Sequence, residues 1–428
     1  MMKDIESGAR STGARILLYA ILAGLFFEAQ PYSATLLGFR LRISMVLAVI
    51  GIAAIAYGIL RSGIPPRFAA ADKFLWIYLG VNLVSLVMSP DKLRSVKIAV
   101  LLGFLILLYH LVVILASKPK IFDEAIHVFL SIGLIQIGLG LYQVVAGTVR
   151  HYFGWNWPVG HLGVFQARYS GAPWGRPYGT LYETDWYGAV CLFFSVVFIV
   201  LALSRGEKKR FYRFGTVVSI AGLFFSLVRG AWLGFAAAIV FLLIFQKKVP
   251  ELNFRPAVVL RSAAAGLTVL SLIILASPTA RNIVQKRFFP ATEKEKIYTM
   301  TNRLLQAKDS WEIFKTSPVL GHGPGMPSRI LGFNHSIIMT ALVDTGIVGL
   351  AALLAWLGVF FHKGLKRIPE IMPGRQPIAL GLLAGIAGLL FSYIFTTGLW
   401  IPFTWVFLAF FTAAVGTSKT SNTSKGLS

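Results

Sequence analysis

Apolar runs of about twenty residues, closed off by charged or turn-forming residues, recur along nearly the whole chain, and a helix crossing a bilayer needs about 20 such residues. They fall near 16–30, 43–60, 74–88, 96–115, 126–147, 184–203, 212–227, 230–245, 257–277, 336–361, 377–396 and 399–416. Composition agrees: 56% of the 428 residues are hydrophobic and 14% charged, against roughly 25% charged in an average soluble domain. The expected fold is an all-α polytopic membrane protein with about 12 transmembrane helices and a large external loop between helices 9 and 10. Helices 1–9 would occupy 1–277, including an aromatic external loop at 148–183. The large loop would occupy 278–335, helices 10–12 the stretch 336–416, and a tail 417–428. A basic leader with Lys3, Arg10 and Arg15 precedes the first run without a small-x-small cleavage site, so that run reads as a retained helix. The single cysteine, Cys191, lies inside an apolar run, which removes intramolecular disulfides and cysteine-rich metal sites together.

The chain carries 41 Lys+Arg against 17 Asp+Glu, a net charge of +24. Nucleic acid, anionic lipid or an anionic ligand would each suit such an excess, and its placement decides among them. Short loops on one face hold Arg61, Arg67, the cluster Arg205, Lys208, Lys209, Arg210 and Arg213, then Lys247, Lys248, Lys363, Lys366 and Arg367. That bias sets both termini in the cytoplasm, with membrane lipids rather than nucleic acid as surroundings. The 278–335 loop, on the opposite face, adds nine Lys+Arg against four Asp+Glu. Long loops cross membranes regardless of charge, so this basicity points to an anionic ligand. The 148–183 loop carries Trp155, Trp157, Tyr169, Trp174, Tyr178 and Tyr182, which suit either an interfacial aromatic belt or stacking against sugar faces.

Within the large loop, Ile297, Met300, Leu304, Ala307, Trp311 and Phe314 recur every three or four residues and make one apolar stripe on a helix. Thr292 with Glu295 is a candidate capping box, and Ser317-Pro318 ends the run. The helix is too charged to span and would lie on the membrane, with Arg303 at the boundary between lipid and water. Gly321-His322-Gly323-Pro324-Gly325 follows. It lacks the Lys-Ser/Thr ending of a nucleotide loop and reads either as a tight turn or as a backbone nest for an anion. His335 opens the tenth run at a helix N-terminus, where imidazolium is disfavoured and a neutral general base is favoured; a plain polar boundary residue is the simpler reading. Asp344 falls about 180° around that helix from His335, a poor direct partner. Arg229 stands between two apolar runs in Leu227-Val228-Arg229-Gly230-Ala231-Trp232, a costly place that marks a functional residue. Arg176 lies near Glu183 and Asp185, where a loop-closing salt bridge competes with a ligand role. The remaining histidines show no metal-ligand spacing.

These residues together resemble the O-antigen ligase and polysaccharide polymerase superfamily of bacterial inner membranes. Three features carry the resemblance: Arg229-Gly230-Ala231-Trp232; the run from Arg303 through Trp311 to Gly325; and His335-Ser336, nine residues, then Gly346-Ile347-Val348-Gly349. The family's last motif is histidine, then Asn, Ser or Gln, nine residues, glycine, two residues, glycine. Val228 stands where the family usually has Ser. The resemblance implies a GT-C-like glycosyltransferase acting on the periplasmic face, inverting and without cofactor or metal. Its donor would be an undecaprenyl-diphosphate-linked glycan, its acceptor lipid A-core for a ligase or a nascent glycan for a polymerase. His335 would be the catalytic base. Arg229 and Arg303, then Arg176 and Arg287, would bind the donor diphosphate, because bidentate arginines substitute for a metal at a departing phosphate. Glu183, Asp185, Trp174 and Tyr178 are candidate sugar or acceptor contacts. Two readings of other classes compete. A secondary transporter would need ionisable residues inside the spans, which are scarce here; an envelope scaffold would keep its role when Arg229 and His335 are changed.

Overall fold

The computed structural model describes residues 2–27, 33–36, 39–62, 72–155, 175–181, 183–204, 208–252, 300–326, 336–396 and 398–416, with isolated positions at 257, 278 and 281. The described residues form helices α1 (Met2–Gly24), α2 (Ile43–Ser62), α3 (Asp72–Ser85), α4 (Lys92–Leu115), α5 (Pro119–Phe153), α6 (Thr184–Leu203), α7 (Lys209–Ser226) and α8 (Arg229–Phe245). Then follow α9 (Met300–Thr316), α10 (Ile337–Arg367), α11 (Gln376–Ser392) and α12 (Pro402–Gly416). Each sequence-predicted span except 257–277 falls on one of these helices; that one, apart from Ala257, lies outside the described residues, as does the capping box Thr292/Glu295. One element departs from an all-helical chain. Strands β1 (Ser33–Leu36) and β2 (Phe39–Arg42) pair antiparallel, with Ser33 opposite Arg42 and Leu36 opposite Phe39, between α1 and α2.

Among the described residues six helices are long and apolar enough to cross a membrane: Lys92–Leu115, Pro119–Phe153, Thr184–Leu203, Arg229–Lys248, Ile337–Glu370 and Pro373–Ser392. Thr12–Gly24, Ile43–Ala54 and Pro402–Gly416 are apolar but shorter. The chain is therefore a multi-pass membrane protein, while the described residues by themselves do not reach the expected twelve spans. Outward faces are apolar, as lipid contact requires: Val46, Val49 and Ile50 on α2, Val217 and Ile220 on α7, and Leu233, Val240 and Ile244 on α8 are exposed.

The helix ends follow from local chemistry. The Asp91 carboxylate caps α4 by accepting from the Arg94 N–H at 3.1 Å. Pro119 opens α5, where its missing N–H costs nothing, and Gly154 closes it in the left-handed region at φ 68°. At 35 residues α5 is about 52 Å long, well beyond a hydrocarbon core of about 30 Å. The core lies where α6, α11 and α12 meet α5. Phe193 and Phe407 stack at 3.8 Å between centroids, and Phe129 stacks on Phe410 at 4.6 Å. Helices α8 and α11 cross through Gly234 and Gly388: a Cβ added at Gly234 would sit 2.4 Å from the Gly388 carbonyl, and one at Gly388 2.6 Å from that of Gly234. Nothing larger than glycine fits. This crossing sets the first turn of α8 beside the turn that follows α11.

Candidate functional site

Arg229 is the first residue of α8, with only Leu227 and Val228 between it and the end of α7. Leu227 takes the left-handed conformation at φ 56°, and the Ser226 hydroxyl accepts from the Val228 N–H at 3.2 Å while donating to the Leu223 carbonyl at 2.7 Å. The Trp232 indole N–H donates to the same Leu223 carbonyl at 2.9 Å. Trp232 thus ties the new helix back to the old one. Gly230 faces the end of α11: a Cβ there would meet the Ser392 hydroxyl at 3.5 Å and the Phe395 Cβ at 3.6 Å, ordinary contact distances. The local sequence therefore sets Arg229 at a tight helix junction that turns through Leu227.

A cavity of about 340 Å³ opens there, lined by Arg229, Gly230 and Leu233 of α8, by Arg303, Leu304, Gln306 and Ala307 of α9, by Ser336 and Met339 at the start of α10, and by Ile394 and Phe395. The walls are mostly aliphatic and two guanidinium-bearing residues stand in them. Arg229 also lies within the electrostatic reach of Arg303, Arg176 and Asp185. Three arginines separated by 53 and then 74 residues in sequence thus fall within one another's electrostatic neighbourhood around Arg229. Leu304 and Ala307, two members of the predicted apolar stripe, line the cavity, and Leu304 and Trp311 are exposed.

Arg176 is placed differently from Arg229. Its Nη2 donates to the Asp185 carboxylate at 2.8 Å, so the loop-closing salt bridge is the observed arrangement. The segment 175–181 is irregular backbone held against α5 by two amides seven residues apart on one helix face. Gln143 Oε1 accepts from the Tyr178 and Gly179 N–H groups, each at 2.9 Å, and its Nε2 donates to the Gly179 carbonyl at 2.9 Å. Gln136 Nε2 donates to the Tyr178 carbonyl at 3.3 Å, and the Thr180 hydroxyl lies 2.7 Å from both Gln136 Oε1 and the Phe26 carbonyl. Gly179 has φ 60°, and a Cβ there would strike Gln136 at 2.2 Å, so only glycine serves. Tyr178 is buried by this clamp rather than presented as an open sugar platform. Glu183 precedes α6 with its carboxyl pushed above the ordinary value, by burial first and then by the negative Asp185, with Arg176 pulling the other way.

The Gly321–Gly325 loop resolves between its two readings. It forms a nest, and the nest is already filled from within the chain. Asp344 Oδ1 accepts from the Gly325 N–H at 2.9 Å and the Met326 N–H at 3.3 Å. The His322 and Gly323 N–H groups donate to the Val343 and Asp344 carbonyls at 2.8 and 2.9 Å, and Gly321 N–H returns to Ser317. Those carbonyls are available because α10 breaks at Gly346, which has φ 64° and ψ −164°. Beyond the break the Ile347 and Val348 N–H groups donate to Pro318 and Val319. The His322 side chain meets the end of α9, with Nε2 3.0 Å from the Ile313 carbonyl and 2.9 Å from the Thr316 hydroxyl. A free anion would find these donors occupied.

His335, Arg287 and Trp174 lie outside the described residues. Ser336, next to His335 in sequence, caps α10 by accepting from the Met339 N–H at 3.4 Å and lines the cavity. Among the described residues no group of three or more His, Cys, Asp or Glu side chains could hold a metal ion. Sequence reasoning missed Gln136, Gln143 and the partner of Asp344. Their signal was present as polar side chains inside apolar runs, where such groups need partners.

Residues 214–354, about a third of the chain, match the O-antigen ligase family. The matched stretch contains Arg229, Arg303, His335 and Asp344, and stops short of Arg176, Glu183 and the Ile394–Phe395 wall. No curated protein matches the chain. The match supports placing the chain in the superfamily of O-antigen ligases and polymerases, membrane proteins of glycosyltransferase type that use lipid-linked glycans.

Proposed function

We propose, with that superfamily as premise, that the chain transfers a glycan from an undecaprenyl-diphosphate-linked donor to an acceptor hydroxyl on the periplasmic face of the bacterial inner membrane, both termini being cytoplasmic. The observation that carries this reading is the convergence of Arg229 and Arg303, from separate helices, on an aliphatic cavity between α8, α9 and the start of α10. An amphiphile with a diphosphate head and a hydrocarbon tail matches both halves of that lining. In transfer the acceptor oxygen forms a bond to the anomeric carbon as the bond from that carbon to the phosphate oxygen breaks. The acceptor proton passes to His335 and the configuration inverts. Charge growing on the departing diphosphate is taken up by the two guanidiniums, whose planar forks bind phosphate bidentately. Arg176 stands behind them, neutralised by Asp185, and shapes the field rather than gripping the ligand. Arg287 remains a candidate for a further donor contact, and Glu183, Asp185 and Trp174 for the acceptor side.

No metal is assigned a role, so transfer is expected to persist in excess EDTA; a strict requirement for added Mg²⁺ or Mn²⁺ would remove the arginine-only account. Ligase chemistry onto lipid A-core is the primary assignment, on the complete His335–Gly349 motif. Polymerase chemistry with the same donor is the second. The test is reconstitution of the purified chain in liposomes with the lipid-diphosphate glycan and either lipid A-core or a second lipid-linked glycan as acceptor. Glycan attached to lipid A-core is expected. Chain growth instead would establish the polymerase, and solute uptake without any glycan transfer would overturn the reading altogether.

A further inference from the structure

The loop from Ser317 to Met326 is the only covalent path that the described residues trace from the end of α9 toward α10, and Asp344 is bound to it at two points. We propose that Asp344 is a positioning residue that fixes the angle of α9 and thereby the placement of Arg303 in the cavity. The inference rests on the functional reading above for the identity of the ligand.

The junction joins the two helices by backbone alone at several places. Gly321 and Gly346 have no Cβ because none fits: one at Gly321 would lie 2.5 Å from the Asp344 carbonyl carbon, and one at Gly346 2.2 Å from the Val319 oxygen. His322 binds both sides, its N–H on the broken α10 ladder and its ring on the last turn of α9. Asp344 closes the far end of the loop, and Ser95 of α4 donates to the Pro324 carbonyl at 2.7 Å. The carboxylate is buried, so without it two N–H groups would lose their acceptor where water does not reach. Helix α9 then acts as a lever. Arg303 is 13 residues before Thr316, about 20 Å along the axis, so a tilt of about 5° at the junction moves it by roughly 1.7 Å. A misplacement of about 1 Å at a reacting centre can cost 10²-fold.

The experiment measures binding of undecaprenyl diphosphate to the full-length protein in detergent, in a double-mutant cycle. Asp344→Leu should weaken binding about tenfold or more, and Asp344→Asn, whose amide oxygen still accepts, should stay within about threefold of the parent. In an Arg303→Ala background Asp344→Leu should add less than about threefold, because its effect passes through Arg303. Should Asp344→Leu fail to insert, Gly323→Ala carries the same cycle. Gly323 has φ 89° and an added Cβ would lie 2.6 Å from that of Ser89, so this change strains the loop from its other side. Equal losses in both backgrounds, or Asn as damaging as Leu, would overturn the positioning role. A parent that binds no lipid diphosphate would instead bring down the functional reading on which it rests.

Discussion

The two ends of the helix bundle handle arginine in opposite ways. At one end, Arg375 donates from Nε to Asp123 at 2.9 Å and from Nη2 to the Pro119 carbonyl at 2.9 Å, and its guanidinium lies 5.7 Å from the Phe122 ring centroid. Beside it Arg15 pairs with Glu124 at 3.2 Å, and the Tyr19 hydroxyl donates to the same carboxylate at 3.2 Å. Both acids sit in the second turn of α5, side by side in sequence. At the other end Arg229 lies in the field of Arg303 and Arg176, while Asp185 is engaged by Arg176 and the flanking walls are aliphatic. A cation matched to an acid holds helices together. Guanidiniums that share an apolar cavity repel one another, a cost that an anionic ligand would offset.

If that contrast is functional, substitutions at the two ends should separate activity from stability. The largest effect is expected at the cavity end: His335→Ala should lose about 10²- to 10⁴-fold in transfer rate while still binding the lipid-diphosphate donor. Transfer within a few-fold of the parent, or equal loss of binding and turnover, would remove its role as base. Arg229→Lys keeps the charge but not the planar fork, and about 10²- to 10³-fold loss of transfer is expected with normal insertion. Near-normal transfer would make Arg229 a structural residue, as the arginines at the opposite end are. Gln143→Leu comes next. It strips partners from two buried N–H groups and one carbonyl, at about 1–3 kcal/mol for each group left unsatisfied. A clear drop in apparent melting temperature is expected, and an unchanged one would mean that segment 175–181 is held elsewhere. Arg375→Ala should destabilise by about 1–2 kcal/mol yet leave transfer by the folded fraction intact; a loss of turnover without a loss of stability there would erase the distinction between the ends.

How legible each end was in the sequence follows from the range of its interactions. Helix positions were readable because lipid exposure imposes a length and an apolar composition on each segment separately. Arg229 was readable for the same reason, as a charge where charge is costly. Its convergence with Arg303 was not, since it depends on the Gly234–Gly388 crossing and on α9 packing against α10. The Gly321–Gly325 loop was readable as a nest of donors, but its occupant, Asp344, lies 19 residues from Gly325, beyond the reach of any local pattern. The β1–β2 ribbon went unforeseen because Ser33–Leu36 and Phe39–Arg42 are four-residue segments, too short to show a period.

The smallest expected effect concerns Glu183, and it bears on the cavity end alone. Burial, helped by Asp185, holds its carboxyl above the ordinary value, so the folded chain binds this proton more tightly than the unfolded chain does. Between the ordinary and the raised value the folded state therefore carries more protons, and stability must fall as pH rises through that window. Below the window both states are protonated and above it both are ionised, so the slope disappears on either side. Glu183→Gln should abolish that slope, leaving a flatter profile of apparent melting temperature against pH across the mildly acidic range. Arg176→Gln should steepen it, because Arg176 is the charge that opposes the shift, and it also frees Asp185 to repel Glu183 further. A profile that is the same in the parent and in Glu183→Gln would mean that Glu183 titrates as an ordinary surface acid. In that case Asp185 alone would remain as the acidic member of the arginine cluster.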